Sequence, residues 1–236
     1  MVHAALRSLG RVIGGVDALI DALCDAVGPT GTVLAYTDWQ MDQLAEGNPD
    51  LRPDVPPYDP HRSRSIRDNG AFPELLRTTP GSLRSANPGA SCTALGGRAQ
   101  WFTGEHALDY GYGPASPFAK LVEAGGKVLM LGAPIDAMTV LHHAEHLADI
   151  AGKRVIRYEA PIIEDDATKW RWFEEFDTSQ PVVAGLPDDY FAQIVDAFLA
   201  TGQGKRGQIA RASSIVVEAA PIVAFGKAWL EARFPR

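Results

Sequence analysis

The sequence predicts an α/β fold, and three observations carry that expectation. Ala18, Leu19, Ala22, Leu23, Ala26 and Val27 recur at helical spacing until Gly28-Pro29 stops them. Gly31-Thr-Val-Leu-Ala-Tyr-Thr37 follows with the β-branched and aromatic character of a buried strand. The same helix-then-strand order returns further on, where Ser116-Pro117 opens a helix and Lys127-Val-Leu-Met-Leu131 forms an apolar run after Gly125-Gly126. Alternation of this kind builds helices packed on sheets.

Taken in order, Val2-His-Ala-Ala reads as the end of a strand, and Leu6-Arg-Ser-Leu-Gly10 as a turn rich in backbone donors. The amphipathic helix and the strand up to Thr37 come next. Residues 40–70 change character, with Asn48-Pro49, Pro53, Pro56-Pro57 and Asp59-Pro60 marking a long loop. Loops this long inside a domain often serve as substrate walls, so this one is expected on the substrate side. Phe72–Arg77 reads as a short helix, and Arg84–Pro88 as a loop passing into a small-residue strand over Ser91–Gly96. After the apolar run at Lys127 comes a helix starting near Thr139. Strands are expected at Arg154–Tyr158 and Ala160–Ile163, a helical stretch over Val182–Arg211, and last strands at Ser214–Val217 and Ile222–Phe225.

The chain has 236 residues, 46% of them hydrophobic, enough for one sizeable core, and neither an internal repeat nor a linker divides it. A single domain over 1–236 is expected. Apolar runs such as Val128–Leu131 fall far short of the roughly 20 residues that span a bilayer. The first segment lacks the layout of a secretory signal, so a cytoplasmic setting is expected. Cys24 and Cys92 sit among small and apolar neighbours, as buried hydrophobes do. A net charge of −7 disfavours nucleic acid, which requires clustered Lys and Arg, and suits a cationic substrate.

Three of the six histidines lie in Thr139-Val-Leu-His142-His143-Ala-Glu145-His146, just beyond the strand end at Leu131-Gly132 and Pro134. Strand ends border the crevice in which α/β proteins bind ligands. Three readings of the cluster stand side by side. His142-x-x-Glu145-His146 matches the H-x-x-E-H pattern of inverted zinc peptidases, with Glu174 or Glu175 available as a third ligand. Alternatively, the three histidines decorate a helix whose Leu141, Ala144 and Ala148 face the core. In the third reading His142, in the first turn, is a general base. Glu175-x-Asp177 then supplies its partners, because residues two apart in a strand share a face. One carboxylate accepts the imidazole N–H while the other holds a substrate ammonium.

Seven ordered blocks resemble the aminoglycoside 3-N-acetyltransferase family, the antibiotic acetyltransferases that differ in fold from the GNAT group. They are Val2–Gly10; Gly28-Pro-Thr-Gly31-Thr-Val-Leu; Arg84-Ser-Ala-Asn-Pro88-Gly-Ala-Ser91 to Gly96; Gly111-Tyr-Gly-Pro-Ala-Ser116 to Leu121; Gly126–Gly132; Thr139–Glu145; and Glu175-Phe-Asp177-Thr178. The resemblance implies a three-layer α/β/α sandwich around a mixed sheet. It also implies acetyl transfer from acetyl-CoA, a cosubstrate, to the 3-amino group of the 2-deoxystreptamine ring of aminoglycoside antibiotics, with resistance as the outcome and no metal.

By the same resemblance His142 is the catalytic histidine, with Glu175 and Asp177 as acidic partners. The coenzyme falls to His3, Ala4, Ala5, Leu6, Ser8, Gly10, Arg84, Ser85, Pro88, Ser91, Gly111, Ser116 and Thr139. The cationic substrate falls to Asp54, Tyr58, Asp59, Glu145, Glu175 and Asp177. The chain is expected to be a monomer or homodimer with no nucleic-acid or membrane partner. Two departures stand out. Family members usually carry a helix and half a strand ahead of the Val-His segment, which the sequence beginning at Met1 is expected to be without, and they often have Ser where Ala5 stands. A zinc hydrolase using His142, Glu145 and His146, and a coenzyme-binding homologue that transfers nothing or uses another amine, are the alternatives.

Overall fold

The computed structural model describes residues 1–39 and 55–234. Strand β1 (Val2–Ala4) lies parallel to β5 (Lys127–Leu131), which pairs antiparallel with β9 (Ala212–Glu218), and β8 (Lys205–Ile209) closes that edge. A second group places β2 (Thr32–Tyr36) and β3 (Leu83–Arg84) on either side of β4 (Cys92–Gly96), all antiparallel. The mixed α/β character expected of the chain is therefore present.

Two helix layers follow from the pleat. On β5, Val128 and Met130 point to one core and Leu129 and Leu131 to the other. The first core takes α3 (Ala99–Thr103), α4 (Pro117–Glu123), α5 (Leu141–Leu147), α6 (Tyr190–Ala200) and α7 (Ala219–Arg233). The second takes α1 (Gly15–Val27) and α2 (Ala71–Thr78). Side chains such as Leu141 and Ile194 are fully buried between layers, each worth about 1.5–3 kcal/mol of transfer free energy. Among the described residues no helix is long and apolar enough to cross a membrane.

Local chemistry explains the element ends. Gly28, at φ 75°, stops α1 as expected. The Ser116 side chain accepts from the Ala119 N–H at 3.1 Å, with Pro117 in the first turn of α4.

Three expectations need correction, and one helix was not expected at all. The two strands expected over 154–163 are one, β6 (Val155–Glu164), which pairs along its length with β7 (Ala167–Phe176) as a ribbon. The expected helix over 182–211 shrinks to α6, because the Gly202–Gly204 segment, with both glycines at φ 84°, turns the chain into β8. Ile222–Phe225 lies inside α7, not a strand. There Ile222, Val223, Gly226, Trp229 and Leu230 are buried at helical spacing. Helix α3 went unforeseen, its five residues too few to carry a period.

Candidate active site

Because β1 and β5 run parallel, their C-terminal ends open on the same side of the sheet. The chain leaves β1 through a 3₁₀ turn at Leu6–Leu9 and leaves β5 through Gly132–Val140 into α5. Between these segments lies a cavity of about 360 Å³, lined among others by His3, Ala4, Ala5, Thr139, His142 and Phe191. The strand-end position anticipated for His142 is thus its observed one.

His142 and Glu145 lie one turn apart on α5, and the His142 Nδ1 is 2.5 Å from Glu145 Oε2. Glu145 is buried, and its other oxygen accepts from the Tyr190 hydroxyl on α6. A carboxylate can only accept, so it holds the imidazole with Nδ1 protonated and leaves the Nε2 lone pair free. The ring is seated by Tyr112 and Phe191, each with its centroid 4.8 Å away. Tyr190, Glu145 and His142 therefore form a fixed relay whose last atom is a base.

A further cavity of about 560 Å³ reaches His142 from the side of Asp136, Asp188 and Thr178–Pro181. Next to it, one of about 400 Å³ is lined by Asp38, Trp39, Tyr112, Tyr158, Glu175 and Thr178. The Tyr112 ring is common ground between this cavity and His142. Two carboxyl groups face this space. Burial pushes Glu175 up to about 7, against the Phe176 N–H, which donates to it at 2.8 Å, and against nearby His142. Asp38 is likewise pushed to about 7 by burial, opposed by a hydrogen bond from Asn69 and the charge of Arg84. Tyr36 and Tyr112 join hydroxyls at 2.7 Å between the first cavity and the acid-lined one. Two half-ionised acids beside a base suit a polycationic guest, which would draw both into their charged forms.

The residues singled out in the sequence divide into three groups. His3, Ala4, Ala5 and Thr139 line the first cavity, while Ser8 lines an adjoining one and Gly10 underlies Arg211 at its rim; Leu6 packs inward with the second core. Pro88 and Glu175 line the acid-walled cavity. The rest serve the scaffold. Arg84 is buried, with its guanidinium on Ser91 Oγ, the Ser63 carbonyl and the Thr37 carbonyl and its charge over the Tyr58 ring. Ser85 accepts from the Cys92 N–H and meets His106 Nδ1 at 2.8 Å. Ser91 donates to the Thr37 carbonyl, and the Gly111 carbonyl meets His106 Nε2 at 2.7 Å. Ser116 is consumed as the α4 cap.

The expected pairing of His142 with Glu175 or Asp177 is replaced by Glu145. Asp177 lies one residue past β7, where its carboxylate meets Arg154 at 3.3 Å and caps Ser179. Tyr58 is buried with its hydroxyl on the Ser85 carbonyl, and Asp59 folds back on the His61 N–H. Neither walls a cavity described above. Asp54, and the part of the 40–70 loop up to it, fall outside the described residues.

Asp38, Asn69, Tyr36, Tyr112 and Tyr190 escaped notice in the sequence. Asp38 had a usable signal, since it stands two residues past β2 at a strand end. The tyrosines had none, because only the fold brings them to His142. His143 is buried with Nδ1 2.7 Å from the Tyr112 carbonyl, and His146 packs against Tyr110 and Phe176. Zinc ligation by the H-x-x-E-H pattern is not assembled: among the described residues no three His, Cys, Asp or Glu side chains are grouped to hold a metal ion.

The sequence model of the aminoglycoside 3-N-acetyltransferase family matches residues 1–231. The chain is 44% identical to the aminoglycoside N(3)-acetyltransferase III of Pseudomonas aeruginosa, over 99% of its own length and 87% of the relative's. It is 43% identical to the aminoglycoside N(3)-acetyltransferase VIII of Streptomyces fradiae, over 99% and 85%. Among solved structures, AAC-IIIb in a binary complex with CoASH superposes with a TM-score of 0.96 at 61% identity, covering 99% of this chain and 90% of that one. AAC-VIa bound to sisomicin superposes with a TM-score of 0.94 at 35% identity, covering 100% and 91%.

Proposed function

The chain belongs to the aminoglycoside 3-N-acetyltransferase family, and from that premise we propose how its own residues carry out the transfer. The reaction is acetyl-CoA-dependent acetylation of the 3-amino group of the 2-deoxystreptamine ring of aminoglycosides. The observation that carries the residue assignment is the Tyr190–Glu145–His142 relay, whose histidine lines two cavities at once. His142 Nε2 takes a proton from the attacking amine as the new C–N bond forms at the acetyl carbonyl. It then returns that proton to the departing thiolate, giving the amide and the free thiol. Glu145 keeps the ring in the required tautomer and steadies the imidazolium that forms between the two transfers.

The first cavity fits the acyl end of the coenzyme. Its walls are the short side chains Ala4, Ala5 and Ala133, and among the described residues His3 Nε2 is a buried polar atom there without a partner. Burial holds the His3 ring at about 3, so it is neutral and can donate to a carbonyl or accept from an amide without adding charge. Glu175 and Asp38 face the other substrate, whose ammonium groups they bind as carboxylates. Acetylation removes one such charge, and drug inactivation and resistance are the consequence of that loss. A cytoplasmic setting accords with the supply of acetyl-CoA. A thiol-release assay with acetyl-CoA and a panel of aminoglycosides, with and without a chelator, tests the reading. Release that needs an aminoglycoside and ignores the chelator is expected, whereas chelator-sensitive or amine-independent release refutes it.

A further inference from the structure

The segment between α3 and α4 carries a buried histidine that the mechanism leaves unused. His106 lines none of the cavities described above, yet both of its ring nitrogens are engaged. Its Nε2 lies 2.7 Å from the Gly111 carbonyl, which can only accept, so Nε2 carries the proton. Its Nδ1 lies 2.8 Å from the Ser85 hydroxyl. That oxygen already accepts from the Cys92 N–H at 3.0 Å, and its own proton is left to meet the Nδ1 lone pair. Burial pushes the ring down to about 4, with the Gly111 carbonyl opposing and the Lys120 charge adding, so His106 is neutral near pH 7 and both bonds have a set direction.

The other end of the Gly111 bond is a short stretch of backbone held on every side. The Tyr112 carbonyl accepts from Nδ1 of His143 at 2.7 Å, and the Gly111 and Tyr112 N–H groups act as donors to the Glu175 carboxyl. No backbone group of the pair is left to seek another partner. An added Cβ on Gly111 would stand 2.5 Å from Asn87 Nδ2 and 2.7 Å from the Ala90 Cβ, so the stretch lies hard against the loop between β3 and β4. Asn87 fastens the same loop to the Ala107 and Leu108 carbonyls at 2.7 and 3.0 Å. Just before the pair, Tyr110 holds a φ of 50°, unfavourable for tyrosine, and is kept there by its N–H on the Glu174 carbonyl at 2.7 Å.

What the pair carries is the Tyr112 ring. It seats His142 at 4.8 Å, lines the acid-walled cavity and joins its hydroxyl to Tyr36, which lines the first cavity. We infer that His106 is a positioning residue for the transfer: its Nε2–H holds the Gly111 carbonyl and, through that bond, sets where Tyr112 seats His142 between the two substrates. The inference rests on the reading of His142 as the base, and His106 itself touches neither substrate.

The test uses the different reach of two amides. Gln places its amide nitrogen about where Nε2 stands, whereas Asn reaches only as far as Nδ1. H106Q therefore keeps a donor for Gly111, and H106N keeps a partner for Ser85 but loses Gly111; H106A loses both. Steady-state kinetics below the melting transition of each variant, which circular dichroism locates, should show kcat lowered about 10- to 100-fold in H106N and H106A, the order expected when a reacting group is displaced by up to about 1 Å. H106Q should stay close to wild type, and KM for acetyl-CoA should hold in all three, since Tyr112 does not line the first cavity. A residue that served stability alone would lower Tm and leave kcat in place. Wild-type kcat in H106N and H106A therefore overturns the inference, and so does an equal loss in H106Q, which would make the shape of the ring the requirement instead of its donor. Long-range proton–nitrogen correlation spectra of the wild-type protein should show His106 protonated at Nε2 and bare at Nδ1; the opposite tautomer overturns the inference without recourse to any variant. A wild-type protein that released no thiol with any aminoglycoside would instead count against the acetyl-transfer reading itself.

Discussion

Substitution of Glu175 by Gln should reduce the number of protons released when an aminoglycoside binds. The carboxyl is raised from 4.5 to about 7 by burial, so at pH 7 about half of the free protein carries the proton, and at pH 6 about nine-tenths does. An ammonium at hydrogen-bond distance favours the carboxylate and pulls its pKa down. Binding therefore expels about half a proton from Glu175 at pH 7 and nearly one at pH 6. Asp38, also raised to about 7, adds a similar amount. Calorimetric titration in buffers of different ionisation enthalpy counts these protons directly. The count for E175Q should fall below wild type by about half a proton at pH 7, and the gap should widen at pH 6.

The free protein carries the same signature in its stability. Its folded state binds more protons than the unfolded chain between pH 4.5 and 7, so the contribution of Glu175 is complete below about 4.5 and is lost as the pH rises through 7. The shift corresponds to about 3 kcal/mol at most, so E175Q should melt higher than wild type at pH 8 and alike at pH 4. Proton counts that match wild type at both pH values, together with parallel melting curves, would refute the placement of a strained acid on the substrate wall.

The remaining expectations concern the relay and the groove. His142→Ala should lower kcat by about 10²- to 10⁴-fold while coenzyme binding stays near wild type; an unchanged kcat would remove His142 from the chemistry. Glu145→Gln removes the negative charge and one of the two acceptors that serve His142 and Tyr190, so its main effect should fall on kcat and on the pH profile, with KM for the aminoglycoside little altered. Raising ionic strength from 0.01 to 0.15 M shortens the screening length from roughly 30 to 8 Å, and the KM for aminoglycosides should rise over that range. Gly132→Ala forces a Cβ onto Ser8 at a φ of 63° and should cost about 2 kcal/mol, a drop in Tm of about 4–8 °C for a chain of this size.

Legibility from sequence followed periodicity and caps. The first helix, the strand after it, the Ser116 cap and the β5 run are written as local patterns that no tertiary contact overrides, and each formed near its expected bounds. The C-terminal third misled for a physical reason. Ile222–Phe225 has strand-like composition, but residues 219–233 bury one face at helical spacing, which a window of four cannot reveal. In the site, His142 was readable because a strand end and a helix start define its position. Arg84 and Ser91 were not readable as scaffold, since a buried guanidinium satisfied by carbonyl groups looks in sequence like any exposed cation.

The choice of partner for His142 turns on reach. Glu145 lies three residues on in the same helix, where side chains at that spacing face each other, and Tyr190 on α6 holds its other oxygen. Glu175 comes from a two-stranded ribbon that leaves Trp172 and Ile156 exposed, while its own side chain is buried. In the proposed mechanism a base that must hold one tautomer through two proton transfers gains from a partner on its own helix. The arrangement also keeps the two carboxyl groups electrically distinct. Glu145 is committed to Tyr190 and His142, and in the proposed mechanism Glu175, its carboxyl raised to about 7, is the one left to answer the substrate's charge.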